Sequence, residues 1–134
     1  MKLNNQKNEY LEIKNLETWG AMAPGHDYFE RGNLDVFTCT AQCFSSPLCF
    51  LRLTSDGSKA KAGWFCEYVH VTVSGQNVAY TQNFSVQQWL ALDEPPYSLV
   101  VLRDNCPSLS NDYQKEIGEE VKSTVAATIA RGFF

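Results

Sequence analysis

The segment 61-KAGWFCEYVHVTVSG-75 decides how this chain folds. Phe65, Val69, Val71 and Val73 share one parity, the period-two spacing of a strand. Trp64, Cys66 and Tyr68 share the other parity and are also bulky. Two arrangements accommodate this. The strand is buried on both faces, or its phase slips near Glu67 through a bulge, one extra residue turning everything after it over.

On either side of this segment lie more short runs with strand character. "EYLEIKNL" alternates Tyr10 and Glu12 against Leu11 and Ile13. "GAMAPGHDYFERGN" reads as a long irregular connection on the strength of its three glycines and Pro24. "LDVFTC" sets Leu34, Val36 and Thr38 opposite Asp35, Phe37 and Cys39. "SSPLCFLRLTSDGS" begins with Pro47, alternates through Leu53 and closes at an Asp56-Gly57 turn. "VAYTQNFSV" and "YSLVVLR" follow. Short strands at regular intervals with turn signals between them indicate an antiparallel sandwich or barrel.

The composition agrees. The chain has 134 residues, 44% hydrophobic and 19% charged, as expected of one domain with an ordinary core. A net charge of −4 lacks the basic footprint of a nucleic-acid binder. No apolar run approaches the roughly 20 residues that span a bilayer, and "MKLNNQKNEY" has no apolar signal-peptide region. Five cysteines without a paired C-x-x-C, and two distant histidines, argue for disulfides in an oxidising compartment rather than a zinc site. After Cys106 the pattern changes. Ile117, Val121, Val125 and Ile129 recur every four residues behind an Asn111 or Asp112 N-cap, which predicts a marginal helix over a tail, 107–134, appended to a domain of 1–106.

Three blocks, "GHDYFERGNLDVF", "LTSDGS…GWFCEYVHVTV" and "NFSVQQWLALDEPPYSLVVLR…C", together resemble the small stress-responsive PLAT (polycystin, lipoxygenase, alpha-toxin) domain proteins of plants. The resemblance runs from about Tyr10 to Cys106. It implies an all-β sandwich of two four-stranded sheets in which Trp64 and the valines after it face one core despite their parity. Phe37, Trp64, Val69, Val71 and Trp89 are the expected core residues, Trp89 being similar to the second family tryptophan. It also implies a first, cysteine-bearing strand, and the residues ahead of Tyr10 are too few for it. The sheet is therefore expected to lack a strand, Cys106 to lack its partner, and the one disulfide to form among Cys43, Cys49 and Cys66. A sheet edge left open in this way invites self-association.

For chemistry, Cys66 and His70 lie four residues apart on a strand, about 13 Å, too far for a thiolate–imidazole pair. The resemblance implies a non-catalytic module of the secretory pathway that touches membrane lipid or a protein partner; the alternative is a regulatory domain for an enzyme such as a lipoxygenase, without lipid. Trp19, Met22 and Tyr28 lie in the loop-rich region where apolar side chains make such contacts, although Trp19 also reads as a cover for the end of the sandwich. Asp27 and Glu30 are the candidates for calcium, as the resemblance implies. From the residues alone, Glu30 is an exposed loop charge. An acidic domain meets a membrane through apolar or metal-bridged contact, not through attraction to anionic lipid.

Overall fold

The strand Trp64–Gly75 carries the phase slip, and its two neighbours show where. Pairing shifts register between Cys66 and Tyr68 on both sides of the strand. Trp64 and Cys66 are buried before the shift and Val69, Val71 and Val73 after it, so the inward parity changes at Glu67. The strand has one buried face throughout, and its bulkiness on both parities is a consequence of the bulge.

The structure, a computed structural model, describes residues 1–26, 28–29, 32–57, 63–75, 78–107 and 122–131. Its strands are β1 (Lys2–Asn4), β2 (Tyr10–Glu12), β3 (Leu34–Gln42), β4 (Phe50–Thr54), β5 (Trp64–Gly75), β6 (Val78–Leu90), β7 (Val100–Asp104) and β8 (Lys122–Arg131). They form two antiparallel four-stranded sheets, ordered β2-β1-β4-β7 and β3-β8-β5-β6. Leu3, Leu51, Leu53 and Val101 from the first sheet meet Phe37, Val71, Phe84 and Ile129 from the second in one core. This is the all-β sandwich expected. Phe37, Trp64, Val69 and Val71 are buried as the resemblance implied.

Along the seam between edge strands β7 and β6, Arg103 closes the two sheets. Opposite Glu67, β6 carries two residues where β5 carries one, and Gln87 takes a positive φ of 48°. Carbonyls there turn away from the ladder. Arg103 donates to the Ser85 carbonyl at 3.1 Å, the Val86 carbonyl at 2.7 Å and the Gln88 side-chain oxygen at 3.1 Å, so the bulge of one sheet is satisfied by a side chain of the other.

Four expectations are corrected. Residues 122–131 are not helical: they form β8, an interior strand flanked by β3 and β5. Val125, Ala127 and Ile129 face the core while Thr124, Ala126 and Thr128 face outward, so the stripe is one face of a strand. Ile117 and Val121 lie outside the described residues. Nor is a strand missing: Lys2–Asn4, ahead of Tyr10, forms β1 between β2 and β4 in the first sheet, and with β8 the second sheet also has four strands, so residues 122–131 belong to the sandwich and are no appended tail. The disulfide joins Cys49 to Cys106, not a pair among Cys43, Cys49 and Cys66. Pairing of Phe50 with Asp104 brings the ends of β4 and β7 together, and the Asn105 N–H donates to the Cys49 carbonyl at 2.8 Å. Cys43 is half-buried beyond β3, and Cys66 points into the core. Finally, Trp89 is half-buried on the outer face of β6, opposite Phe65. Unlike β5, β6 keeps its phase across the bulge: Phe84, Val86 and Leu90 all turn inward, so Trp89 shares the outward parity of Ser85 and Gln87, and Leu90 is the inward partner of Trp64.

Candidate functional site

The chain passes from one sheet to the other three times at the same end of the sandwich, between Glu12 and Leu34, between Thr54 and Trp64, and between Leu90 and Val100. The register requires it, since Leu34 lines up with Ala130 and Tyr68, Trp64 with Leu90, and Thr54 with Val100. This loop-built pole is the candidate site.

The first connection is held by a buried carboxylate. Asp35, 1% exposed at the start of β3, receives the Phe29 backbone N–H at 2.8 Å on one oxygen and meets His26 Nε2 at 2.6 Å on the other. Both oxygens are therefore partnered, which a carboxylate at that depth requires. The Asn15 side-chain oxygen caps a short 3-10 helix, Leu16–Trp19, by accepting from the Glu17 N–H at 3.1 Å. Beyond it the Ala21 N–H donates to the Val36 carbonyl, zipping the connection to the edge strand β3. At Gly20 a Cβ would fall inside the Tyr28 hydroxyl, so only glycine lets that ring lie across the loop. The Tyr28 hydroxyl then accepts the Met22 N–H at 3.1 Å.

Of the residues expected to touch lipid or a partner, Trp19 and Tyr28 pack against the core, and Tyr28 and Phe29 both lie against Phe37. Phe29 also meets Trp64, at 5.5 Å between ring centroids. Trp19 thus covers the end of the sandwich, as its other reading had it. Met22 is half-buried. Asp27 and Glu30, the calcium candidates, lie outside the described residues. Among the described residues no three His, Cys, Asp or Glu side chains cluster closely enough to hold a metal.

The exposed apolar side chains of this pole are elsewhere. Leu92 is 69% exposed and Tyr97 63% exposed, on the 91–99 connection. That loop is closed at its base by the Ala91 N–H donating to the Ser98 carbonyl at 3.0 Å, and at its tip by the Tyr97 N–H donating to the Glu94 carbonyl at 2.8 Å. Asp93 and Glu94 stand exposed between the two side chains. Sequence reasoning missed this pair. The signal was available in "ALDEPPY", where two large apolar residues bracket acids and prolines that no strand tolerates.

Thiolate formation is suppressed at the two buried free cysteines. Burial pushes the Cys66 thiol up to about 12 and raises Cys39 as well.

An antiparallel two-sheet sandwich whose conspicuous surface is a pole of connecting loops is a β-sandwich domain of the kind that presents loops from a rigid frame. The PLAT/LH2 domain model matches residues 7–103, and the chain belongs to that family. It is 45% identical over 120 residues to PLAT domain-containing protein 1 of Arabidopsis thaliana and 46% identical over 120 residues to PLAT domain-containing protein 2. Each match covers 88% of this chain and 66% of the relative, so the chain spans just under two thirds of their length. It is 50% identical over 90 residues to PLAT domain-containing protein 3, covering 65% of this chain and 86% of that protein. No solved structure matches the chain.

Proposed function

We propose that this PLAT domain is a non-catalytic module that docks on lipid surfaces with its loop pole, Leu92 and Tyr97 being the side chains that insert. The observation that carries this is their exposure, 69% and 63%, on a loop pinned by its own hydrogen bonds to a rigid sandwich. Burying the two contributes about 3–6 kcal/mol at roughly 1.5–3 kcal/mol each, before the cost of association. That describes a weak, reversible contact. Asp93 and Glu94 beside them, in a chain of net charge −4, oppose approach to anionic headgroups. Zwitterionic vesicles are therefore the preferred surface, and a divalent cation that bridges acids to phosphate strengthens attachment to anionic ones. The Cys49–Cys106 disulfide supports residence in the secretory pathway.

Co-sedimentation with phosphatidylcholine vesicles, with and without calcium, tests the reading. Leu92→Ser and Tyr97→Ser should each release the protein while its circular dichroism is unchanged. Vesicle binding that survives the double variant would overturn it, and binding only to a protein bait would move the function to a protein partner.

A further inference from the structure

We infer that the outer face of the sheet β3-β8-β5-β6 is a second binding surface, for a neutral, extended β-1,4-linked glucan. Four register rows run across all four strands of this face, from Leu34, Ala130, Tyr68 and Ser85 at one end to Thr40, Thr124, Ser74 and Ala79 at the other, with the pair Gln42 and Lys122 in register beyond them on β3 and β8. None of these sixteen positions is Lys, Arg, Asp or Glu, and nine carry a hydroxyl. In the third row Thr38, Thr72 and Thr81 stand on three of the four strands, with only Ala126 between Thr38 and Thr72. Among the described residues no hydrogen bond occupies the hydroxyls of these three threonines. Strand propensity favours threonine but does not exclude charge. The outer face of the other sheet shows the contrast, with Glu12, Lys2 and Arg52 in a single row and Asp104 in the next.

At the end near the loop pole the field meets aromatics. Phe65 and Trp89 are half-buried partners across β5 and β6, edge to face at 5.8 Å, with Tyr68 half-buried beyond the bulge. Glu67, at the bulge, is the one charged residue of β5 and sits between the rings and the hydroxyl field. At about 3.3 Å per residue, Phe65 to Ser74 spans roughly 30 Å, and four strands about 4.8 Å apart span roughly 14 Å. Beyond Glu67 the field is long and its sixteen positions carry no Lys, Arg, Asp or Glu, with hydroxyls that donate and accept and aromatic rings at one end. A neutral pyranose chain has the complementary parts, C–H faces for the rings and hydroxyl edges for the threonines, and over the sixteen positions of the field neither partner must desolvate a carboxylate or a Lys or Arg side chain. A β-1,4 linkage keeps the chain straight enough to follow the strands. An anionic lipid or acidic peptide finds no Lys or Arg among these sixteen positions, and a protein interface core is expected to be more apolar and richer in Arg and Met.

The test is depletion of the full chain from solution by microcrystalline cellulose, with calorimetric titration of soluble β-1,4-glucan oligomers. Trp89→Ala and Thr81→Glu should each weaken binding at least tenfold. Thr81 is solvent-exposed on the edge strand β6, so Thr81→Glu decides the matter even if Trp89→Ala proves unstable. Leu92→Ser should leave glucan binding intact, and Thr81→Glu should leave vesicle binding intact, so this surface and the loop pole fail separately. Absence of binding to both glucan forms overturns the inference. So does equal binding to α-linked starch, preference for polygalacturonate, or Thr81→Glu binding as the parent does.

Discussion

Breaking the Cys49–Cys106 bond should cost most of its effect in the denatured chain. The two cysteines are 57 residues apart in sequence, and β4 and β7, which they join, are already paired from Phe50–Asp104 to Thr54–Val100. The native sheet therefore survives reduction, and what changes is the freedom of the unfolded loop. The loop-closure relation for roughly 58 residues gives about 14 cal/mol/K, or about 4 kcal/mol at 25 °C. With a urea slope of about 1–3 kcal/mol per molar, the midpoint should fall by roughly 2 M, and the slope should rise slightly as the denatured chain expands. The assay is urea unfolding followed by tryptophan fluorescence, comparing oxidised protein, protein held in reductant, and Cys49→Ala/Cys106→Ala. Reduction keeps every buried atom in place, which matters because Cys49 is only 2% exposed and its truncation adds a small cavity cost. A reduced form within about 1 kcal/mol of the oxidised one would refute the loop-entropy reasoning.

The two tryptophans of the bulge region should separate sharply. Trp64→Ala should cost about 3–5 kcal/mol as a core truncation, and Trp89→Ala no more than about 1–2 kcal/mol, by thermal unfolding; equal costs would place both rings in the core. In β8, Ile129→Ala should cost about 2–5 kcal/mol, and Thr128→Pro should prevent folding because it removes a ladder hydrogen bond from an interior strand. Normal circular dichroism from Thr128→Pro would return this segment to the status of an appendage. Glu9 supplies a pH signature. Burial raises its pKa, but hydrogen bonds from the Ser45 hydroxyl, the Asn5 amide and the Ser45 N–H, with Lys7 nearby, outweigh it and leave it below the ordinary glutamate value. A depressed carboxylate stabilises fully above its unfolded pKa, and this is lost as pH falls through the folded value. The stability difference between the parent and Glu9→Gln should therefore be largest at neutral pH and vanish on acidification; a difference independent of pH would sink the assignment.

The slip at Glu67 was legible because two parities of bulky residues in one strand admit few explanations. The tail was not, for a physical reason. A spacing of four residues is both about one helical turn and twice the strand period, so Val121, Val125 and Ile129 fit either element equally well. The discriminating evidence was in the residues between them, where Thr124 and Thr128 are β-branched and Ala127 is small enough to share the inner face. The cysteine pairing depended on which strands are neighbours, and four of the five cysteines lie near strand ends, where spacing says little. The His26–Asp35 clamp at the loop pole was hidden because an aspartate at an inward strand position looks like an interruption of the pattern until its partners are seen.

The placement of β8 also sets a timetable for biosynthesis. Gln42 pairs with Lys122, eighty residues later in the chain, and Val69 pairs with Ile129, sixty residues later. At translation rates of roughly 5–20 residues per second, β3 emerges about 4–16 s before the strand that must lie beside it. During that interval β3 and β5 each present an unsatisfied edge, and the Phe37 and Val71 side chains lack the strand that lies between theirs. The second sheet is therefore completed only after residues 122–131 have emerged, through contacts of very long sequence range, which makes for slow closure. A nascent chain of this design depends on whatever shields open strands in the compartment where it is made, and a stalled or prematurely terminated product would be left with its central slot empty.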